Sequence, residues 1–578
     1  MTQPARPIYR HISFILLLLA QLVFGLFAFR DYGLSWDEPL FYEYGEALGY
    51  AYTPANWLSP DFDLSKSYGS SGDDHKNRGP AYLLLARTPV HLLESLGLDE
   101  VPAWRLVNFL TFLLGVYFLY RLSLRWMGEW AAFGAAALFS TQPLLLGHAF
   151  INPKDMPFLV FFTGAALFGF EMADALNDEA KSRKRRLFSV IVAAFFLGIS
   201  TSIRVLAPLA GLLVVVYAIV KQRSIANPKP RTWNLARSLL AYILLSLLFM
   251  LASWPYLWES PISNFIQVFR FMSENPTGLQ VLFGGQIYRA YELPRRYLPT
   301  LLAITLTEPV WPLFALGLGA ALAKLTSSVL CLPSSVLRPP SSVLRPPSPV
   351  PRPPSSVPRP PSSVPRPPSS VPCPPSTDYW LLLTAFAIPL LYVLLRKPPM
   401  YDGFRHFLFI LPPVFVTCGL GLDVLFRWLK KLEKGNRSPS WLRAGTILLV
   451  SLPGLLGAAR LHPYQYAYYN SFVGGTGGAF RVYETDYWLT CYKEAAEQTD
   501  FTLPARLFVH REASIAAPYA VSGLTVLDER GNLKDIRAGD YILVNSRTNE
   551  DRKTFHDAPT VGEVRRGAAV FCVVKQVP

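Results

Sequence analysis

The chain has 578 residues, of which 51% are hydrophobic and only 16% are charged. The apolar residues come in long blocks, which is typical of segments that cross a lipid bilayer and excludes a soluble globular protein. The formal net charge of +15 does not indicate nucleic-acid binding, because the Lys and Arg residues stand between the apolar blocks rather than on one basic surface.

About 20 apolar residues are needed to cross the hydrocarbon core of a membrane, and eleven segments of the sequence approach this length. The predicted fold class is therefore mainly α, a polytopic membrane protein with about eleven transmembrane helices. Two neighbouring segments are separated only by Ser202, Ile203 and Arg204, and they can also be interpreted as one interrupted segment. The predicted spans are residues 11–29, 104–120, 130–147, 156–172, 187–202, 205–220, 235–253, 298–322, 379–395, 406–426 and 442–459.

Alternate short loops carry most of the basic residues, which places these loops and the N-terminus on the cytoplasmic side. Two long loops, residues 30–102 and 254–297, then lie outside, and an odd number of spans also places the C-terminal region outside. No cleaved signal peptide is expected, because the first span is too long and no small-residue cleavage site follows it. The cytoplasmic basic residues are Arg6, Arg10, Arg121, Arg125, Lys181, Arg183, Lys184, Arg185, Arg186, Lys221, Arg223, Lys229, Arg231, Arg237, Lys430, Lys431, Lys434, Arg437 and Arg443.

The sequence divides into a first membrane region at 1–326, a linker at 327–377, the last three spans at 378–460 and an external domain at 461–578. In the external domain, the Gly-rich stretch 474–478 is interpreted as a flexible hinge, because no strand precedes it and no Lys-Ser/Thr follows it. Turn residues separate short β-type runs, which predicts a small α/β domain. The predicted elements are a helix at 487–498 and strands at 506–509, 524–527, 541–544 and 569–574.

The linker repeats a heptapeptide seven times between Ser327 and Pro375. Proline in every copy forbids a coiled coil and predicts polyproline II or a disordered linker. The P-x-x-P spacing also fits an SH3-type ligand. An expanded repeat tolerated in a cytoplasmic loop is favoured, because long surface insertions cost little.

Deleting residues 327–375 is expected to leave membrane insertion and activity near normal, since a tolerated linker only connects two spans. Expression level and activity of the deleted protein in membranes test this. A deleted protein that is expressed normally but is inactive would show that the repeat does more than connect.

Five cysteines are present. Cys418 lies inside a predicted span, and Cys331 and Cys373 lie in the repeat. Cys491 and Cys572 are both in the external domain, where a disulfide and two free thiols are both consistent with the sequence.

Adjacent carboxylates, Asp37 and Glu38, follow the first span directly and lie at the outer membrane surface. A carboxylate held in a partly desolvated pocket can act as a general base toward a hydroxyl group. Taken alone, Asp37 fits better as the solvated N-cap of an amphipathic helix that runs to Tyr52.

A second external loop carries Lys154 beside Asp155, within the motif Asn152 to Pro157, at the mouth of a span. Charges at a helix end are often snorkelling anchors. An Asp in an apolar neighbourhood on the same side as Asp37 is also what an acceptor or metal site requires.

Further polar residues lie on the same predicted side of the membrane. Arg405 and His406 precede the tenth span and suit a phosphate, Arg through its fork of N–H groups and His when protonated. His75 and Lys76, in a polar run of the first external loop, are candidates for substrate binding. The shared side favours a functional site over four unrelated hydrated clusters.

The Asp37-Glu38 pair after the first span, the Asn152 to Pro157 motif, about eleven spans and an external C-terminus resemble the GT-C glycosyltransferases. The most similar members are the protein O-mannosyltransferase and aminoarabinose-transferase families of bacterial type. The resemblance covers residues 10–460. The sequence contains no recognisable MIR-type external domain, so the resemblance does not imply protein O-mannosylation.

The resemblance implies transfer of a sugar from a polyprenyl-phosphate donor to an acceptor hydroxyl outside the cytoplasm of a bacterial plasma membrane, with inversion at the anomeric carbon. Asp37 would be the general base, Glu38 would support it, and Asp155 would be the second acidic position. Lys154, Arg405 and His406 are assigned to the donor phosphate from charge and location. The expected partners are the lipid-linked donor, membrane lipids and a lipid, glycan or protein acceptor, with no nucleic acid, no cofactor and no assigned metal ligands.

Two other functions compete with this interpretation. A transporter or flippase would place ionisable groups near the bilayer midplane, and Glu308, in a Thr-Glu-Pro break, is the best residue for it. A lipid-linked polysaccharide polymerase or ligase would not require the Asp37-Glu38 pair.

Overall fold

The computed structural model describes residues 11–178, 180–223, 229–274, 277–330, 378–432 and 440–578. In this part of the chain, seven helices are long and apolar enough to cross a membrane, or eight if one sharply bent pair counts as a single span. Two shorter apolar helices, Ile12–Ala28 and Pro208–Arg223, lie at further predicted spans. The seven long helical segments are Glu100–Ser123, Asp155–Asn177, Arg183–Ile203, Asn234–Ala252, Tyr379–Arg396, Arg405–Lys431 and Ser440–Leu461.

The predicted span at 298–322 is not continuous. It consists of Tyr297–Thr305 and a second helix, Val310–Leu330, which meet at an angle of 111°. Pro309 explains the break, because proline lacks an N–H and disfavours helical geometry in the residue before it. The second helix ends at Leu330, four residues beyond the last residue predicted for the first membrane region.

The predicted span at 130–147 is also divided, into Glu129–Ser140 and Pro143–His148. The Gln142 side chain between them donates a hydrogen bond to the Thr307 hydroxyl at 2.8 Å and accepts one from the Thr307 N–H at 3.0 Å. This pair joins two helix breaks inside the bundle. The segments on either side of Ser202 form two separate helices rather than one interrupted segment.

The two long loops, residues 30–102 and 254–297, contain several helices, of which the sequence analysis considered only the one that follows Asp37. The first loop is largely helical, and the second contains a helix and a two-stranded antiparallel hairpin, β1 (Gln280–Phe283) and β2 (Gln286–Arg289). The loop helices are Glu38–Ala47, Pro54–Trp57, Gly72–His75, Ala81–Ser95 and Pro261–Glu274.

The C-terminal region forms a five-stranded mixed sheet with strand order β4-β3-β5-β7-β6. β3 pairs in parallel with β4 and β5, whereas β7 pairs antiparallel with β5 and β6. The sequence analysis predicted four of these strands and missed β6, because its charged residues leave no apolar run like those of the other four strands. The strands are β3 (Ala505–Val509), β4 (Leu524–Asp528), β5 (Tyr541–Asn545), β6 (Thr560–Arg566) and β7 (Ala569–Gln576).

Short helices complete this domain: Gly475–Ala479, Cys491–Gln498, Ala513–Ala516 and Glu529–Asn532. The Gly-rich stretch predicted as a hinge is thus a helical turn, entered through Gly474 and Gly475 with positive φ angles of 77° and 69°. The helix predicted from residue 487 begins at Cys491, because Leu489 adopts a φ of 61° that a helix cannot continue through.

A disulfide joins Cys491 to Cys572, with Cα atoms 6.1 Å apart, and it fastens the domain's helix to β7. Cys418 is buried as a free thiol. The repeat from residue 331 onward, with Cys331 and Cys373, lies outside the described residues, as do Arg6, Arg10, Lys434 and Arg437.

Candidate active site

Glu38 is fully buried and is held by four hydrogen bonds. Its Oε1 accepts from Arg105 Nη1 at 2.5 Å, from the Tyr42 hydroxyl at 2.9 Å and from the Asn152 N–H at 3.1 Å. Its Oε2 accepts from the Ser35 N–H at 2.7 Å and so fixes the turn that leads into the helix Glu38–Ala47. Glu38 therefore acts as a structural anchor whose lone pairs are already engaged.

Asp37 stands at the N-cap of that helix, but its side chain makes no capping hydrogen bond. The Asp37 carboxylate therefore does not cap this helix, as the sequence analysis had considered. Instead, Oδ2 accepts from Arg405 Nη1 at 2.8 Å and from Asn152 Nδ2 at 3.2 Å. The side chain is 23% exposed, whereas Arg405 is 4% exposed.

Asn152 couples the short loop before the helix Asp155–Asn177 to the segment that carries Asp37. Its backbone adopts a positive φ of 64°, which Asn tolerates better than most residues. Its side-chain oxygen accepts from the N–H groups of Lys154 and Asp155 at 2.9 and 3.2 Å and thereby caps the helix Asp155–Asn177. Because its Nδ2 binds Asp37, the two acidic positions share one rigid support.

Arg405 connects both predicted carboxylates. Its Nη1 lies 2.8 Å from Asp37 Oδ2 and 3.2 Å from Asp155 Oδ2, and its Nη2 lies 3.0 Å from Asp402 Oδ2. The guanidinium also lies over the Trp488 ring, 4.3 Å from its centroid. Three motifs that are distant in sequence therefore meet at one buried guanidinium.

Asp155 is completely buried and has a second cationic partner, Arg204, from the turn between two helices. Arg204 appeared in the sequence only as a loop residue. The signal that could have identified it was its place between two apolar segments, where an unpaired charge is costly.

Lys154 is 7% exposed, and its ammonium has no hydrogen-bond partner among the described residues. It lies over the Phe41 ring, 5.4 Å from the centroid. Burial lowers the pKa of Lys154 well below its usual value, and the positive charges of Arg78 and Arg204 lower it further. An anion that approaches this amine favours its protonated form and so opposes the lowering of its pKa.

The remaining candidate residues, His406, His75 and Lys76, lie in different surroundings. His406 is half-buried and contacts the Tyr401 ring edge-to-face at 4.8 Å, next to Arg405. His75 is buried between the rings of Phe41 and Tyr44, and burial lowers its pKa to about 4. A neutral, stacked imidazole of this kind packs the loop and supports the Phe41 ring under Lys154.

Lys76 points away from this cluster. Its ammonium lies 2.9 Å from Asp73, whose side chain is fully exposed. Lys76 is the C-cap residue of the short helix that ends at His75, and its assignment to substrate binding stays a prediction.

Sequence reasoning missed the contribution of the external domain. Arg547, which follows β5, places Nη2 2.6 Å from Asp402 Oδ1 and Nε 3.0 Å from Glu484 Oε1. Asp402 is therefore enclosed by Arg405 on one side and Arg547 on the other. Burial raises the pKa of Asp402, and both arginines counteract this rise.

A narrow cavity beside Arg405 has room for about one water molecule. Among the described residues, no group of three or more His, Cys, Asp or Glu side chains is placed to hold a metal ion. The cavity is lined by Leu144, His148, Leu301, Thr305, Gly403, Phe404, Arg405, Leu408, Tyr466, Tyr469 and Tyr487.

Residues 90–256 match the family model for dolichyl-phosphate-mannose-protein mannosyltransferase. This segment includes the Asn152 to Pro157 motif and Arg204. The match confirms the resemblance to the mannosyltransferase family over this segment. No curated protein matches the sequence.

Among solved structures, ArnT from Cupriavidus metallidurans in the apo state is 14% identical, with a TM-score of 0.45 over 97% of this chain and 98% of that one. The same protein bound to undecaprenyl phosphate gives a TM-score of 0.44 at 14% identity over the same shares. The archaeal oligosaccharyltransferase AglB from Archaeoglobus fulgidus, in complex with an inhibitory peptide and a dolichol-phosphate, is 13% identical, with a TM-score of 0.42 over 80% of this chain and 57% of that one.

Proposed function

We propose that the protein transfers a sugar from a polyprenyl-phosphate donor to a hydroxyl of a lipid, glycan or protein acceptor on the non-cytoplasmic side of the membrane. The observation that carries this proposal is the position of Asp37. It is the partly exposed carboxylate of an otherwise buried charge cluster, held in place by Arg405 and Asn152. The family match over residues 90–256 supports the reaction class.

Asp37 would act as the general base. Both described contacts fall on Oδ2, so Oδ1 is the oxygen assigned to the acceptor hydroxyl. The acceptor oxygen forms a bond to the anomeric carbon while the bond from that carbon to the phosphate oxygen breaks, and the hydroxyl proton moves to Asp37. Polyprenyl phosphate is the leaving group, and a single displacement inverts the anomeric centre.

One base suffices for this chemistry, because the phosphate leaves without protonation by a second carboxylic acid. Glycoside hydrolases, in contrast, need two carboxyl groups. Glu38 and Asp155 are assigned to support: Glu38 fixes the helix that begins after Asp37, and Asp155 shares Arg405 with Asp37.

Lys154 is the residue that we assign first to the donor phosphate. Arg405 and Arg204 already neutralise Asp37 and Asp155, whereas the Lys154 ammonium is buried without a partner among the described residues. A phosphate would supply the missing counter-charge. Arg405 and His406, next to it in sequence, remain assigned to the same phosphate as second contacts.

Glu308, the residue on which a transporter depended, accepts a hydrogen bond from the Ser471 N–H at 2.7 Å. It therefore joins the broken span to the start of the external domain. This structural role supports the transferase over a transport pathway through Glu308.

Transfer of labelled sugar from a polyprenyl-phosphate carrier, in vesicles that contain the purified protein, tests the proposed function. Donor binding is measured beside it by displacement of a fluorescent polyprenyl phosphate. A wild-type protein that neither binds nor consumes any polyprenyl-phosphate sugar would contradict the proposal.

Lys154→Gln is expected to weaken donor binding by tenfold or more, on the order of 1.4 kcal/mol, because it removes the charge that faces the phosphate. The variant should fold normally, since it replaces an unpartnered ammonium with a neutral group of similar length. Lys66→Gln is the matched control, because Lys66 is an exposed lysine of the loop 30–102 that donates to the Asp61 carbonyl at 3.3 Å. Equal donor affinity of wild type and Lys154→Gln would exclude Lys154 from the phosphate site.

A further inference from the structure

A chain of alternating charges leads from the external domain to the proposed general base. Asp402 connects its two halves, with Oδ1 2.6 Å from Arg547 and Oδ2 3.0 Å from Arg405. All three side chains are at most 5% exposed. Each carboxylate oxygen of Asp402 therefore faces a different arginine.

The backbone at Asp402 fixes this arrangement. Asp402 and Gly403 adopt positive φ angles of 55° and 66°, a turn that directs the Asp402 side chain inward. The Gly403 carbonyl accepts from the Tyr297 hydroxyl at 2.9 Å, which secures the turn to the bent span. Aspartate tolerates this conformation better than most residues, but it still costs free energy that the ion pairs offset.

Arg547 is held on its other sides as well. Its Nε donates to Glu484 at 3.0 Å, its backbone N–H donates to the Asn545 side chain at 2.6 Å, and its guanidinium lies 5.5 Å from the centre of the Trp36 ring. Trp36 directly precedes Asp37. Arg547 thus touches the segment that carries the base and the acid that holds Arg405.

Arg405 by itself faces three carboxylates, those of Asp37, Asp155 and Asp402. Without Arg547, Asp402 would depend on Arg405 alone, and their attraction in a buried site is strong. The guanidinium would then shift toward Asp402 and loosen its contact with Asp37. We propose that Arg547 of the external domain is a positioning residue for sugar transfer, which acts through Asp402 to keep Arg405 against Asp37.

This inference rests on the proposed function and is tested in the same vesicles. Arg547→Gln is expected to lower kcat by tenfold or more with little change in donor binding, because the donor phosphate is assigned to Lys154. Arg547→Lys should recover part of the rate, since it restores the charge but not the fork. Arg506→Gln is the control, because Arg506 pairs with a buried acid of the same domain, Asp540, away from the charge cluster.

The pH dependence of kcat distinguishes a positioning role of Arg547 from a role in folding alone. Burial raises the pKa of Glu484 to about 7, while Arg547 lowers it and Asp402 raises it. Removing Arg547 takes away the lowering contribution, so Glu484 and Asp402 stay protonated to higher pH. Only an ionised Asp402 draws Arg405 away from Asp37, so the loss in kcat of Arg547→Gln relative to wild type should be largest at high pH and shrink as Asp402 takes up its proton. Arg506→Gln should show no such change. The other groups that face Glu484 and Asp402 are Arg405, Asp37, Asp155 and the phenols of Tyr297, Tyr469 and Tyr487.

The double variant Asp402→Asn with Arg547→Gln removes one charge of each sign, and it keeps the test open if Arg547→Gln alone does not accumulate. Its loss in kcat should match that of Asp402→Asn alone, since Arg547 acts only through Asp402. An active wild type together with a double variant that is slower than Asp402→Asn alone, so that the two losses multiply, would overturn the inference. An inactive wild type would instead count against the proposed function.

Discussion

Asp37→Asn is expected to reduce sugar transfer by about a hundredfold to ten-thousandfold, the usual contribution of a general base. The amide keeps the size of the side chain, and its oxygen can still accept from Arg405 and Asn152. It cannot accept the acceptor proton. Donor binding should survive, because the phosphate is assigned to Lys154 and the polyprenyl tail to the membrane.

Asp31→Asn is the matched control for this prediction. Asp31 is an external carboxylate six residues earlier, its side chain is 50% exposed, and it lies 2.8 Å from His462 rather than in the charge cluster. Its substitution should leave transfer unchanged. Full activity in Asp37→Asn would remove the catalytic assignment, and a parallel loss of donor binding would place Asp37 in binding instead.

The positions of Asp37, Asp155 and Arg405 could be predicted from the sequence because topology alone restricts them. Each lies at the end of an apolar segment, and the positive-inside rule assigns all three to one side. Their meeting at a single guanidinium depends on how the helices pack, which the pattern of apolar residues does not specify. The same limit applies to Lys76. It shares a loop with His75, but its ammonium pairs with Asp73, and the sequence does not specify that partner.

Long-range partners were beyond sequence reasoning. Arg105 lies within an apolar helix and binds Glu38, 67 residues away. Arg547 belongs to a different domain from Asp402. A buried charge signals that a partner exists, but periodicity gives no information on which residue of opposite sign supplies it.

The helical segments were predicted well because long apolar blocks leave few alternatives in a membrane. The errors fall where side chains replace backbone hydrogen bonds. Gln142 and Thr307 stabilise two helix breaks through reciprocal bonds, and no local pattern marks that pairing. The external helices such as Ala81–Ser95 were missed because they are shorter than a span.

Arg105→Met is expected to destabilise the folded protein by about 3 to 5 kcal/mol, because it leaves Glu38 buried without its cation. The Glu38 and Arg105 side chains are both 0% exposed. Arg105 also donates to the Phe150 carbonyl at 3.0 Å and to the Gly33 carbonyl, so these acceptors lose a partner too. Unfolding of the detergent-solubilised protein, followed by temperature or denaturant, measures the loss.

Two further variants show whether the lost stability comes from the buried charge. Arg427→Met removes an arginine from an exposed pair with Asp423 at 3.2 Å and should change stability by less than about 1 kcal/mol. Glu38→Gln combined with Arg105→Met removes both charges and should recover part of the loss, since no unpaired charge then remains buried. An Arg105→Met protein as stable as wild type would show that Glu38 does not need its cation. Glu38 would then be free to take part in catalysis beside Asp37, the role that the sequence first suggested.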